Sequence, residues 1–143
     1  MSEARVYVHA LWGTKHGGEF ITGEEKLILL EHIRINAERK GIIVDTINSR
    51  PEHVHCLFSL PRVLSLSRAI QYMKGESSYW ANQTRLFGTE FQWAGEYQAL
   101  SVGENCLEKV REFIMNQDAL HRKLTYADES RMFGVLMDLL CRA

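Results

Sequence analysis

The chain has 143 residues, of which 45% are hydrophobic and 24% are charged, a composition typical of a soluble globular protein with one domain spanning residues 1–143. No apolar run approaches the ~18 residues that cross a bilayer, and the N-terminus lacks the basic-then-apolar pattern of a signal peptide. We therefore expect a cytoplasmic protein with no membrane partner. The formal net charge of −1 at pH 7 offers no global argument for binding nucleic acid.

The first predicted element is a strand over residues 5–14, where aromatic and β-branched residues are frequent. Thr22 and Glu25 have capping-box spacing, and they predict the start of a helix that runs to about Lys40. Apolar residues at helical spacing then predict its buried face, which comprises Leu27, Leu30, Ile33 and Ala37.

Six further elements are predicted. In chain order they are strands over residues 41–50 and 53–60, a helix from Ser65 to about Gln83, a strand around residues 97–102, a helix starting at Asn105 and Glu108, and an apolar helix over residues 129–141. The buried stripe of the second helix is expected to be Leu66, Ala69, Ile70, Met73 and Trp80.

The order β-α-β-β-α-β-α-α indicates an α+β fold. Its first six elements have the ferredoxin-like order, an antiparallel sheet with helices on one face. The extra C-terminal helices would be free to dock elsewhere or on a second subunit.

The cysteines Cys56, Cys106 and Cys141 are odd in number and widely spaced, without a CxxC pair. This pattern argues against a disulfide framework and against a thiolate zinc site. We expect three reduced and mostly buried thiols.

The stretch "RPEHVHCLFSLP" contains two histidines one residue apart. Because side chains on a strand alternate, His53 and His55 point the same way, ~6.6 Å apart, and can share a metal ion. Partly exposed structural histidines are the more common alternative for so short a motif. Gln117 is a candidate third ligand whose carbonyl oxygen suits Mg²⁺ or Mn²⁺, although by pattern alone it is an ordinary helix-surface residue.

Basic residues cluster in two segments, and the simplest interpretation of each is a solvated helix face. The first contains Arg62, Arg68, Lys74 and Arg85 against Glu76 alone, and the second is "HRK" at residues 121–123.

Four motifs together resemble a known family. They are "RPEHVHCLFSLP", "LSLSRAIQYMKGESS", "FQWAGEYQALSVG" and "LEKVREFIMNQDALHRKLTY", and they span nearly the whole chain, from Tyr7 to about Leu124. In order and spacing they resemble the small single-tyrosine HUH transposases, the insertion-sequence-200-like group that includes the REP-associated tyrosine transposases.

The resemblance implies a ferredoxin-like homodimer that recognises imperfect DNA hairpins and cuts and rejoins single-stranded DNA. It implies that His53, His55 and Gln117 bind Mg²⁺ or Mn²⁺, which polarises the scissile phosphate. A tyrosine on the same helix as the glutamine attacks that phosphate, leaving a 5′-phosphotyrosine and a free 3′-OH. In the family this helix can serve the histidine pair of the other subunit.

The position that matches the nucleophile, one helical turn before Gln117, is Phe113, which has no hydroxyl. Three explanations stay open: natural loss of cleavage, an introduced Tyr-to-Phe change, or another tyrosine that has taken over. Tyr126 lies nine residues after Gln117, outside the turn expected to face the metal. Tyr97 fits a sheet aromatic better, and Tyr72 and Tyr79 fit base stacking. We expect no substitute nucleophile.

The resemblance also reassigns the basic clusters to phosphate contacts, which set register and supply salt-dependent affinity. The expected DNA-binding residues are Lys15, Arg62, Arg68, Lys74, Arg85, Arg122 and Lys123. One alternative is a regulatory homodimer that binds DNA hairpins without cleaving them. Another, from a different class, is a ferredoxin-like small-molecule or metal-sensing domain, which leaves the later motifs unexplained.

Overall fold

The computed structural model describes residues 2–142. Four strands, β1 (Tyr7–Gly13), β2 (Ile43–Arg50), β3 (His53–Ser59) and β4 (Gln98–Val102), form one sheet in the order β2-β3-β1-β4 with every neighbouring pair antiparallel. The helices are α1 (Gly23–Arg39), α2 (Leu66–Gln83), α3 (Leu107–Met115), α4 (Gln117–Leu120) and α5 (Tyr126–Cys141), with 3₁₀ turns at Lys15–Gly17 and Glu104–Cys106. The expected α+β fold with a ferredoxin-like sheet is confirmed. None of the helices described in residues 2–142 combines the length and the apolar character needed to cross a membrane.

The sheet separates two hydrophobic cores, because alternate side chains of β1 and β3 point to opposite faces. On one face α1 and α2 pack against residues such as Trp12 and Phe58. On the other face α3 and α5 pack against Leu11 and Leu57. The sequence leaves open whether the extra C-terminal helices dock on this chain or on a second subunit. In the structure they cover the second face of the sheet within the same chain.

The predicted buried face of α1 is wrong at one position. Leu27 is 67% exposed, whereas Leu29 is fully buried together with Ile33 and Ala37. At 100° per residue, Leu29 lies closer than Leu27 to the centre of the stripe that faces the sheet. In α2, Leu66 and Trp80 are partly buried, and the buried positions extend to Lys74, Ser77 and Ala81.

Leu29 and Leu27 provide a matched pair for testing this assignment. We expect Leu29→Ala to lower the free energy of unfolding by ~2–5 kcal/mol, because it leaves a cavity in the first core. Leu27→Ala should change it by no more than ~0.5 kcal/mol, since the side chain is mostly in solvent. Urea denaturation of both variants measures the difference. Equal losses would contradict the register of α1.

The expectation of three free thiols is wrong. Cys106 and Cys141 form a disulfide with their Cα atoms 5.6 Å apart, and only Cys56 is a free, buried thiol among the described residues. The two cysteines are 35 residues apart in sequence, and they meet because the start of α3 and the end of α5 lie side by side on the second face.

The last helix begins earlier than residue 129. The Thr125 hydroxyl accepts from the Asp128 backbone N–H at 3.1 Å, and the Asp128 carboxylate accepts from the Thr125 N–H, which together form a capping box. The helix therefore starts at Tyr126, and its first turns carry Tyr126 and Glu129 toward the sheet.

A bidentate ion pair ties α3 to β2. Arg111 donates from Nε and Nη2 to the two carboxylate oxygens of Asp45, at 2.8 and 2.7 Å. These hydrogen bonds lower the pKa of Asp45 below its ordinary value.

This pair predicts a pH dependence of stability. Because the pKa of Asp45 is lower in the folded chain, its contribution is present above the unfolded pKa of about 3.9 and is lost as the pH falls through the folded pKa. We expect the difference in unfolding free energy between the natural chain and Asp45→Asn to be constant near neutral pH and to vanish in acid. Urea titrations from pH 7 to strongly acidic pH measure it. A difference that persists in acid would rule out the charge as its cause.

Candidate metal centre

Strand β3 sets the two histidines of the motif at one end of the sheet. His53 pairs with Gly13 and His55 with Leu11, where β1 ends. Both imidazoles point to the second face and are fully buried beneath the C-terminal helices. The predicted common direction of the two side chains follows from strand alternation, but their complete burial does not.

Gln117 reaches the same point from the other side. Helix α3 ends at Met115, the backbone kinks at Asn116, and Gln117 begins α4. Its side chain is buried, and Oε1 lies 3.2 Å from His53 Nε2. The single helix implied by the resemblance is therefore interrupted between Phe113 and Gln117, although Gln117 Nε2 still donates to the Phe113 carbonyl at 3.4 Å.

Two residues that the sequence analysis did not identify as ligands complete the cluster. Glu129 of α5 is fully buried, with Oε1 at 3.0 Å from His53 Nε2 and Oε2 at 3.0 Å from His55 Nε2. His121, which follows α4, places Nε2 at 3.0 Å from Glu129 Oε1 and 3.1 Å from Gln117 Oε1. Five side chains from three segments of the chain thus converge on one point.

The donor set fits a metal ion. Ligand atoms of His53, His55 and Glu129 all lie within 4.8 Å of one another. Imidazole nitrogen combined with carboxylate and amide oxygen is a mixed set suited to divalent first-row metals. These residues could therefore hold such an ion.

The outer nitrogens of the two motif histidines have partners of their own. Glu52 Oε1 lies 2.6 Å from His53 Nδ1, and His9 Nε2 lies 2.8 Å from His55 Nδ1. His9 Nδ1 is buried with no hydrogen-bond partner in residues 2–142. A carboxylate that accepts from Nδ1 leaves the Nε2 lone pair of His53 facing the cluster, the arrangement that usually orients a metal-binding histidine.

Burial and neighbouring charges set the electrostatics of the cluster. Burial raises the pKa of Glu129, but its contacts with His53 and His55 lower it by more, so the pKa lies well below the usual range and the carboxylate is ionised. Burial lowers the pKa of His55 and of His9 below the ordinary histidine value. Burial also lowers the pKa of His53, but contacts with Glu129 and Glu52 raise it by more. The two carboxylates thus favour positive charge at the centre.

Phe113 lies beside the cluster. Its half-buried ring meets His55 edge-on, with centroids 5.6 Å apart, and contacts His9 at 6.1 Å. Position 113 therefore lies against His55 of the motif and against His9.

Tyr126 lies on α5, outside the turn that carries Phe113 and Gln117, but the docking of α5 brings its ring to the same site. Its ring stacks on His53 at a centroid distance of 4.2 Å and an interplanar angle of 11°. A Cβ at Gly13 would come within 2.8 Å of this ring, so only glycine allows the close approach. The hydroxyl bonds Ser130 and lies beside Gly13, and burial raises the pKa of Tyr126 to about 12.

The expected DNA-binding residues fall into separate groups. Arg122 and Lys123 line a cleft of about 540 Å³ beside Glu52, His121 and Tyr126, at the edge of the metal centre. Lys15 is on the 3₁₀ turn whose Gly17 lines the same cleft. Three others, Arg62, Arg68 and Arg85, are exposed at or near the ends of α2, on the opposite face of the sheet.

Lys74 has a structural role in the fold. It is 9% exposed, and its Nζ donates to the carbonyl oxygens of Ala94 at 2.8 Å and Glu96 at 3.1 Å. These bonds hold the turn before β4 against α2, and they occupy the ammonium that was expected to contact phosphate.

The sequence contains only partial signals for the two ligands that its analysis missed, His121 and Glu129. His121 follows Gln117 by four residues, a spacing that places two side chains on the same helical face. Thr125 and Asp128 have capping-box spacing, which would have placed Glu129 within a helix. Neither signal indicates that Glu129 meets β3, because that contact depends on how α5 docks.

Comparisons with known proteins agree with the geometry. Residues 2–117 match the protein family described as "Transposase IS200 like", so the match ends at Gln117 and excludes His121 and Glu129. The ISDra2 transposase TnpA of Deinococcus radiodurans is 27% identical over 128 residues, covering 82% of this chain and 91% of that protein.

Two solved structures share the fold. A structure described as a transposase from Deinococcus radiodurans R1 has a TM-score of 0.64 at 20% identity and covers 81% of this chain and 93% of its own. A REP-associated tyrosine transposase bound to a REP hairpin has a TM-score of 0.63 at 17% identity, and the match covers 85% of this chain and 74% of that one. Since the family match covers most of the chain, this protein belongs to the IS200-like transposase family.

Proposed function

We propose that this protein is a DNA transposase of the HUH-tyrosine type that binds hairpin DNA and a single strand at the metal centre, and that Phe113 prevents it from cleaving. The observation that carries the proposal is the T-shaped contact between the Phe113 and His55 rings, in a chain of the transposase family. A regulatory homodimer that binds hairpins without cleavage is retained as the alternative, since it uses the same fold and the same site.

The metal part of the proposal assigns Mg²⁺ or Mn²⁺ to His53, His55 and Gln117. Such an ion supplies Lewis-acid polarisation of a phosphate oxygen when it is bound. Glu52 and His9 hold the two imidazoles in orientation through their Nδ1 atoms, at 2.6 and 2.8 Å.

The chemical part concerns residue 113. A tyrosine there would attack the scissile phosphorus with its hydroxyl oxygen, displace the 3′ oxygen of the strand and keep the 5′-phosphate as a phosphotyrosine. Phenylalanine has no oxygen to form that bond, so a bound strand stays intact. The contact between Phe113 and His55 within one chain supports a site completed in cis.

DNA reaches the site, in this proposal, through the cleft beside it. Arg122 and Lys123 lie on its wall and would contact the phosphates of a single strand, with Lys15 nearby. Arg62, Arg68 and Arg85 would contact a more distant part of a hairpin. The structural relative that is bound to a REP hairpin supports hairpin DNA as the partner.

The proposed homodimer has one candidate surface on α5. Met132, Val135 and Leu139 lie on its outer side and are 37%, 58% and 63% exposed. A second copy of the chain would cover these apolar side chains.

Binding of fluorescent hairpin oligonucleotides tests the proposed function. We expect tighter binding to a hairpin with a single-stranded flank than to an unstructured strand of equal length. In the variant Arg122→Ala/Lys123→Ala, the negative slope of log affinity against log salt should become less steep by about 1.4, because each single-strand phosphate contact contributes ~0.7.

Arg5→Ala/Arg39→Ala is the matched control. It also removes two exposed cations, but at the end of the sheet away from the metal centre. It should keep the salt slope. Equal losses in both double variants would contradict the cleft as the path of the strand, and no preference for hairpins would favour the small-molecule or metal-sensing alternative.

A further inference from the structure

We infer that Glu129 and His121 are ligands of the same ion as His53, His55 and Gln117, so that five protein donors hold it and select Mn²⁺, Co²⁺ or Zn²⁺ over Mg²⁺. This inference rests on the metal centre of the proposed function and adds to it two residues outside the family match, from the segment after Gln117.

The spacing of the donor atoms is that of a coordination shell. Ligands bound at ~2.1 Å and at right angles lie about 3.0 Å from each other. Glu129 lies 3.0 Å from each of the Nε2 atoms of His53, His55 and His121. Gln117 Oε1 lies at 3.2 and 3.1 Å from His53 and His121. A small shift of these side chains would seat one ion between them.

The hydrogen bonds on the outer side of two of the rings turn their inner nitrogens toward the centre. His121 Nδ1 lies 2.7 Å from the Leu124 carbonyl oxygen, and His53 Nδ1 lies 2.6 Å from the Glu52 carboxylate. Both oxygens are acceptors, so each Nδ1 carries a hydrogen. In a neutral ring the Nε2 lone pair then faces inward, toward the oxygens of Gln117 and Glu129.

Lone pairs of nitrogen and oxygen at about 3 Å repel one another unless a cation lies between them. The rings of His53 and His121 lie close together as well, with centroids 4.8 Å apart. One divalent ion satisfies every donor at once. The single carboxylate of Glu129 offsets part of its charge.

The donor set then decides the kind of ion. Three imidazole nitrogens favour first-row transition metals, whereas Mg²⁺ prefers oxygen ligands and keeps several waters. Five protein donors leave one octahedral position for a phosphate oxygen or water. With His53, His55 and Gln117 alone, three octahedral positions of the ion would be open to phosphate or water. Glu129 and His121 would reduce them to one.

Isothermal titration of the chelator-treated chain with MnCl₂ and MgCl₂ tests the inference. We expect the natural chain to bind Mn²⁺ much more tightly than Mg²⁺. Glu129→Gln, which keeps the shape of the side chain, and His121→Gln should each weaken Mn²⁺ binding by ~10-fold or more. Asp138→Asn, an exposed carboxylate on the same helix, is the control and should bind Mn²⁺ like the natural chain.

The direction in which Mn²⁺ affinity changes distinguishes a metal ligand from a side chain that only blocks the site. Unchanged or tighter Mn²⁺ binding in Glu129→Gln would overturn the inference, because a carboxylate that only blocks the site competes with the ion. A different result would contradict the metal centre of the proposed function itself: no Mn²⁺ binding in either the natural chain or His55→Ala. Pulsed EPR of Mn²⁺ bound to the natural chain needs no variant: coupling to three imidazoles supports His121, and coupling to two overturns it.

Discussion

The variant Phe113→Tyr should form a covalent adduct with a single-stranded hairpin oligonucleotide in Mn²⁺, and the chain with Phe113 should form none. The ring at position 113 already faces His55, and the substitution adds one oxygen at its edge. That oxygen is the atom the phosphotyrosine bond requires. A denaturing gel that shows a labelled strand attached to the protein measures the effect, which goes from no adduct to a detectable one.

Stability should not limit this experiment. Phe113 is half-buried, so a hydroxyl at its edge does not have to enter the centre of a core. Because a single hydrogen bond contributes only ~1 kcal/mol net, we expect similar unfolding free energies for the two chains.

Two further variants decide what each result means. Phe113→Tyr/His55→Ala should give no adduct, because it removes a metal ligand while keeping the tyrosine. An adduct in the chain with Phe113 that disappears in Tyr126→Phe would show that Tyr126, which stacks on His53, has become the nucleophile. No adduct in any variant, with hairpin binding intact, would support the regulatory homodimer.

The variant Phe133→Ala should lose ~3–5 kcal/mol of unfolding free energy. Phe133 is fully buried in the second core and meets His9 edge-on at 4.7 Å and His55 at 6.0 Å. Its truncation leaves a cavity between α5 and the sheet. Because Glu129 is on the same helix, we also expect weaker Mn²⁺ binding than in the natural chain.

Met132→Ala is the control for that experiment, since Met132 is adjacent on α5 and 37% exposed. It should cost much less free energy and keep the affinity for Mn²⁺. Hydrogen exchange would add a local measurement, with faster exchange along α5 in Phe133→Ala. A loss near that of Met132→Ala would contradict the docking of α5 on the second face.

Much of the fold could be predicted because its signals are local. The strands were identified by β-branched and aromatic residues, and α2 by its cap at Ser65, which accepts from the Arg68 N–H at 3.1 Å. The errors have local causes as well. The stripe of α1 was placed too near Leu27, and the cap at Thr125 was missed, so α5 was expected to start three residues too late.

For the basic residues, the sequence does not indicate which cations face a ligand and which bond the fold itself. Lys74 lies within α2 and Arg122 in the turn after α4, and charge alone assigns both to phosphate contacts, yet Lys74 bonds two backbone carbonyls inside the fold and Arg122 lines the cleft at the metal centre. Composition cannot distinguish them, because the difference depends on which segment packs over each side chain.

Local signals account for the α+β order of the elements, the family resemblance and the shared direction of His53 and His55, since strand alternation needs only neighbouring residues. Packing between distant segments accounts for the rest: the C-terminal helices cover the second face, Cys106 meets Cys141, and His121 and Glu129 join the histidine pair. These contacts link segments far apart in the chain. They form because a second core is buried, and the spacing of residues within a single segment does not indicate which other segment that core brings into contact.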